Sequence, residues 1–321
     1  MRTIVNSEVA LGRAPLFPEN RVMDTLIKLV VKKNPMQKGF LQSALTHLTE
    51  SERVQLEDYI AFCDGQGILL DYLADSYNLL VNDTRREQMF FARHKRYRYS
   101  TFAEVAGSVY LNPAYMDKYM HGLALSGFMW PNHLHMNRFF ERIPTPEPAE
   151  HYLEIGPGHG VHFGHVLKQN RFKQYTGIDL SPTSIDLTRR ILTHKELVDP
   201  DRANLICANF LSTGLPLAHY QLIVMGEVLE HVEDPRAFLL RIRELLAPAG
   251  YAFITTVINA ATVDHIALFR RPEEIRALIA TSGMRVHEEL LLPYHGKTVA
   301  ESLEQSLPMN IALLLRHAGD S

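Results

Sequence analysis

The chain is poor in the features that mark several large classes of protein. It has two cysteines in 321 residues, Cys63 and Cys207, far apart and without Cys-x-x-Cys spacing. That excludes a disulfide framework and a cysteine zinc site, and a reducing compartment is expected. No apolar run reaches the length of a membrane span, and Met1-Arg2-Thr3-Ile4-Val5-Asn6-Ser7 lacks the apolar core of a secretory signal. A cytoplasmic protein without a membrane partner is therefore expected. Positive charge is not in excess: the net charge is −3 and the pI about 6.6, which sets nucleic acid aside as a partner of the protein as a whole. Repeats and low-complexity tracts are absent too. Charged residues at 21% and hydrophobic ones at 46% describe a globular chain, long enough for two full cores.

From Pro18 to about Leu80 apolar residues recur at helical spacing, as in Val22, Leu26, Leu29 and Val30, or Leu41, Leu45 and Leu48. Asn34-Pro35 and Asp64-Gly65-Gln66-Gly67 read as breaks between helices, and Ser51 as the start of one. Between Thr84 and Tyr99, arginines and lysines alternate with Phe90, Phe91, Tyr97 and Tyr99. Such a stretch either binds a phosphate-bearing ligand or is a solvated basic face with its rings turned inward. The segment 110–140 is dense in methionine and aromatic residues, among them Tyr115, Tyr119, the single Trp130 and His133. It suits a lid over an apolar substrate, a domain seam or a dimer contact.

Three prolines within residues 143–149 form a stiff connector, which divides the chain into a helical part, 1–143, and a second part, 150–321. Beyond it strands and helices alternate: strands at 152–155, 174–179, 204–207, 220–226 and 250–257, helices at 161–168, 183–197 and 235–246, then strands at 284–292 and 310–315. The expected fold is α/β, a Rossmann-like doubly wound sheet preceded by an all-α domain.

In such a sheet ligands bind beyond the carboxyl ends of the strands. The first strand ends in Glu154 and runs into Gly156-Pro157-Gly158-His159-Gly160, a turn whose glycines let a ligand approach the backbone. The second ends at Asp179, 23 residues after Gly156, where a carboxylate can accept from two ribose hydroxyls. Leu180 follows, and after the third strand Asn209 and Phe210 are placed to meet an adenine edge and face. A dinucleotide fingerprint needs a third glycine where Val161 stands, which disfavours nicotinamide. After the fourth strand Glu227, Glu230 and His231 stand at i, i+3 and i+4, on one face of an expected helix. With His265 of Asp264-His265 they form a constellation for one divalent metal ion, or supply a general base.

The ordered motifs 154–160, 177–181, 227–235 and 246–251 resemble those of class I S-adenosylmethionine-dependent methyltransferases over residues 150–316. The resemblance implies S-adenosylmethionine as cofactor, held by the glycine turn, Asp179 and Asn209, where the family more often has Asp. It also implies a seventh strand, 310–315, antiparallel between the fifth and sixth. The Glu-x-x-Glu-His and Asp-His segments are similar to the metal site of small-RNA 3′-terminal 2′-O-methyltransferases, and the former also to ubiquinone-pathway O-methyltransferases.

The expected activity is methyl transfer to an O or N nucleophile of a small apolar or aromatic metabolite, with Glu227, His231 and His265 catalytic. Tyr115, Tyr119, Trp130 and His133 are the expected substrate or lid residues, and a homodimer through the helical part is compatible with this. Two other readings stay open: an RNA 2′-O-methyltransferase and a cofactor-binding regulatory protein without catalysis.

Overall fold

The computed structural model of the protein describes residues 2–5, 22–194 and 202–319. A strand, β1 (Arg2–Val5), precedes seven helices: α1 (Val22–Lys33), α2 (Lys38–Ala44), α3 (Glu50–Gly65), α4 (Leu70–His94), α5 (Phe102–Ala106), α6 (Pro113–Met129) and α7 (Pro131–Glu141). The breaks expected at Asn34-Pro35 and at residues 64–67 are observed. Gly67 takes a φ of 75° after α3, and a 3-10 turn at Pro35–Gln37 separates α1 from α2. Helix α3 starts one residue before Ser51, because Thr49 caps it: its hydroxyl receives the Glu52 N–H while the Glu52 carboxylate receives the Thr49 N–H. A cap of this kind contributes about 1 kcal/mol.

The helical part has its own core. Leu73, Tyr77 and Leu80 of α4 meet Leu26 and Val30 of α1 and Ala124 and Leu125 of α6, all fully or almost fully buried. Trp130 packs beside them. Helix α7 instead lies on the sheet that follows, with Phe139 and Phe140 against Phe253 at centroid distances of 5.7 and 5.3 Å.

The second part runs β2 (His151–Ile155), α8 (Val161–Lys168), β3 (Gln174–Asp179), α9 (Pro182–His194), β4 (Ala203–Cys207) and β5 (Tyr220–Gly226). It continues through α10 (Pro235–Leu245), β6 (Leu246–Ile258), α11 (Pro272–Thr281), β7 (Met284–Leu292), α12 (Val299–Glu304) and β8 (Met309–His317). The last residues of the helix expected at 183–197 lie outside the described residues. The order across the sheet is β1-β7-β8-β6-β5-β2-β3-β4. Strand β8 runs antiparallel to both β6 and β7, as the resemblance implies for 310–315. The seven expected strands are thus present, and an eighth, β1, joins the edge parallel to β7. Four backbone positions at the start of the chain carry too short a pattern to read as a strand; they belong to the sheet, and the region that follows, from Val22 to Glu141, is helical as expected.

The inner strands are continuous apolar runs, as in Leu222-Ile223-Val224-Met225, because helices cover both faces. Strands β2 and β5 run parallel, but the order of winding reverses between them, which opens a crevice at their carboxyl ends and positions the site.

Candidate active site

Chain direction changes sharply where β2 ends. Gly156, Gly158 and Gly160 all have positive φ, at 72°, 54° and 76°. The requirement is steric as well as torsional: a Cβ on Gly160 would fall 2.5 Å from Thr188 Cα in α9, and one on Gly156 would fall 2.8 Å from Val228 Cγ2. The turn is therefore pressed between α9 and the segment leaving β5, with the Met120 sulfur of α6 close over Gly158.

Asp179 ties this turn to the next. Its carboxylate accepts the Gly158 N–H at 3.2 Å and the Ser181 N–H at 2.8 Å. Burial nevertheless pushes its carboxyl up to about 6, since these bonds only partly offset the loss of water. Glu154 accepts from the Tyr152 hydroxyl and, at 3.1 Å, faces His162 Nδ1. Burial alone would lower the His162 imidazole; the Glu154 charge raises it above its ordinary value. At the end of β4 Asn209 caps a 3-10 turn by accepting the Leu211 N–H at 2.9 Å. Phe210 is turned into the core against Phe238, and Leu180 and Leu211 are the exposed apolar groups beside Asp179 and Asn209.

The helix expected across Glu227, Glu230 and His231 does not form. Glu227 sits at φ 52°, breaking the helical path as β5 ends, and Leu229–His231 is a single 3-10 turn. The i, i+3, i+4 geometry therefore does not apply. Glu230, His231 and His265 do converge, with one ligand-capable atom from each lying within 4.8 Å of the others. Glu227 stands beside this group, its Oε2 receiving the Asn310 amide at 3.4 Å, and is not part of it. The Oε1 atoms of Glu227 and Glu230 and the Tyr97 hydroxyl are buried without a hydrogen-bond partner. Burial and the neighbouring Glu230 raise the Glu227 carboxyl well above its ordinary value, and burial raises that of Glu230.

Their surroundings shift the two imidazoles in opposite directions. His231 Nδ1 lies 3.1 Å from the Asp264 carbonyl and 3.4 Å from its carboxylate. Burial works against the charged ring, but Asp264 and Glu230 outweigh it and raise its pKa. His265 donates through Nδ1 to the Ala260 carbonyl at 2.8 Å, and burial together with His231 pushes it down to about 3. Their ring centroids are 4.8 Å apart. Asp264 also accepts from Tyr110 at 3.0 Å, Tyr119 at 3.2 Å and Thr262 at 2.8 Å. Although it is buried, these groups and the two histidines hold its carboxyl below the ordinary range.

Of the lid residues expected from the sequence, Tyr119 reaches this cluster. Tyr115 stands behind it, stacked at 5.7 Å and donating to Asp83. Trp130 donates to the Tyr77 hydroxyl at 3.2 Å and packs on His133, which bonds Ser126. His133 is near enough to His159 in the glycine turn to help depress its pKa. Tyr97, Tyr110 and Asp264 enter the cluster as well. Tyr97, edge-on to His265 at 5.6 Å, was hidden within the basic stretch.

Comparison with known proteins agrees with this fold. The model of a family described as "Methyltransferase domain" matches residues 132–305. A ubiquinone biosynthesis O-methyltransferase of Coxiella burnetii is 22% identical over 188 residues, 53% of this chain and 78% of that protein. One from Nitrosospira multiformis is 26% identical over 184 residues, covering 51% and 74%. Reducing polyketide synthase Preu2 of Preussia isomera is 33% identical over 124 residues, 37% of this chain, and the chain spans 5% of that protein. The solved structure of Mitomycin 7-O-methyltransferase MmcR aligns with a TM-score of 0.51 at 16% identity, over 78% of this chain and 70% of that one. With the family model matching more than half its length, the chain belongs to this methyltransferase-domain family and is a class I S-adenosylmethionine-dependent methyltransferase.

Proposed function

We propose that the protein transfers a methyl group to a hydroxyl oxygen of a small aromatic or apolar metabolite, with His231 as general base. The carrying observation is the His231–Asp264 pair, whose carboxylate sits behind the imidazole at 3.4 Å and raises its pKa. Nδ1 faces Asp264, leaving Nε2 to take the acceptor proton. Val228, three residues before His231, touches the glycine turn, so base and cofactor share one wall. We assign S-adenosylmethionine to the crevice between the glycine turn, Asp179, Asn209 and the exposed Leu180 and Leu211. Residues up to 143 supply the substrate cap, with Tyr97, Tyr110, Tyr119 and Met120 facing it, and residues from 150 carry the cofactor. Displacement at a sulfonium methyl is in line, so the residues' work is to position the acceptor, remove its proton and exclude water.

A second reading has an observation of its own. The partnerless Glu230 Oε1 and two imidazoles, each fixed through Nδ1 by a main-chain carbonyl, suit a divalent cation held by Glu230, His231 and His265. A cation bound there would lower the pKa of the acceptor hydroxyl. One assay separates the two. With a panel of phenols and labelled cofactor, His231→Gln should lose about 10²–10⁴ in rate while still binding S-adenosylhomocysteine, and wild type should stay active after chelation. Activity lost on chelation and restored by a divalent ion, with stoichiometric metal absent from Glu230→Gln, would replace the base by the cation.

A further inference from the structure

The outer face of α4 plays no part in the chemistry described so far. Asn82, Arg86, Met89 and Arg93 are four, three and four residues apart, in one line along the helix spanning about 16 Å. At the helix end Lys95 takes φ 54° and the chain turns back, bringing the Arg98 guanidinium 4.3 Å from the centroid of the Phe90 ring. With Arg85 these residues line an open groove of about 430 Å³, within the usual range for small-molecule sites.

Its charges are unevenly compensated. Arg86 pairs with Asp83 at 2.8 Å and Glu87 at 3.1 Å, and Arg98 pairs with Glu87 at 2.8 Å. Both carboxylates are buried, so they fix the two guanidinium groups in place and neutralise them. Among the described residues Arg85 and Arg93 have no carboxylate within ion-pair distance, and Arg85 instead contacts the Met36 sulfur at 3.2 Å. Two uncancelled positive charges thus face an apolar floor of Met89 and Phe90, on a protein of net charge −3. The carboxyl end of α4 contributes partial negative charge, so an anion here is held by side chains and not by the helix end.

We propose that this groove binds a phosphate monoester bearing an apolar or aromatic group. Two uncancelled charges match the dianion of a monoester near neutral pH, guanidinium forks pair with phosphate oxygens, and Met89 and Phe90 take the organic part. Polynucleotide is the poorer fit, because the uncancelled positive charge is confined to one groove on a protein of net charge −3. The groove also adjoins the active centre through α4. Gln88 donates to the Asn259 carbonyl at 3.1 Å and accepts the Ala261 N–H at 2.8 Å, holding the loop that leads to Asp264 and His265. The phosphate is carried either by the methyl acceptor or by a separate molecule.

The test is calorimetry on the full chain with phenyl phosphate, with phenol, inorganic phosphate and a short single-stranded RNA for comparison. Wild type should bind phenyl phosphate one to one and phenol not at all. The double variant Arg85→Gln/Arg93→Gln should bind it at least about tenfold more weakly. These two arginines are chosen because neither supports a buried carboxylate, and unchanged S-adenosylhomocysteine binding checks the fold. No binding by wild type, equal binding by the variant, or tighter RNA binding with a steep salt dependence would overturn the proposal. Hydroquinone and its monophosphate as acceptors separate the two sources. A lower KM for the phosphorylated acceptor, lost in the variant, places the phosphate on the acceptor; equal KM values with phenyl phosphate binding retained make it a separate ligand. The binding measurement stands whether or not either phenol is methylated.

Discussion

Replacing Asp179 by Asn should pull stability and cofactor affinity in opposite directions as pH rises. In the folded protein without cofactor the carboxyl is pushed from 3.8 up to about 6, mainly by burial. Because the folded state holds its proton more tightly than the unfolded state, wild-type stability falls as pH rises between those values. The full penalty for ionising the group is about 3 kcal/mol, an upper figure because water reaches part of the side chain. An amide has no such titration. The stability of Asp179→Asn relative to wild type, from urea unfolding, should therefore rise by about 1 kcal/mol between pH 5 and pH 8. A constant offset from the exchanged hydrogen bonds to Gly158 and Ser181 cancels in that difference. Affinity moves the other way: losing a charged acceptor for two ribose hydroxyls costs about 1.5–3 kcal/mol, so S-adenosylhomocysteine should bind about ten- to a hundredfold more weakly at pH 8. A stability difference independent of pH would refute the account of the carboxyl, and unchanged affinity would refute the ribose assignment.

Asp264→Asn should shift the acidic limb of the pH–rate profile to lower pH and reduce the plateau, because the charge that raises His231 is gone. With His231 as the proposed base, the wild-type rate should rise with pH as His231 loses its proton, and that limb should lie above the ordinary imidazole range. Gly160→Ala should cost at least about 2 kcal/mol in chemical unfolding, since φ is 76° and the added carbon meets Thr188 main chain. A loss below half of that would show that α9 yields easily.

Where sequence period and burial coincide, the architecture could be read directly. The α8 boundaries at Val161 and Lys168 and those of β3 and β5 agree with the apolar pattern. The glycine turn and the strand ends beside it were legible for the same reason, since both are local signals. The acid–histidine segment was not, because a single left-handed residue, Glu227, replaces a helix with a 3-10 turn, and glutamate gives no local warning of that conformation. Nor could the sequence reveal that Tyr110 and Tyr119 meet Asp264, or that Tyr97 meets His265. They are brought together by packing across 145 residues and more, and in Tyr97 a burial signal was masked by basic neighbours.

Asp264 is also where the proposed cap is fastened, because Tyr110 and Tyr119 donate to the same carboxylate that faces His231. Lifting the cap withdraws both donors, which concentrates negative charge on Asp264 and strengthens its hold on a protonated imidazole. With the cap lifted, His231 thus keeps its proton to higher pH, and less of it is free to accept one at a given pH. On the proposed mechanism the free base is most abundant while the chamber is shut, which favours transfer to the bound acceptor over loss of the methyl donor to water.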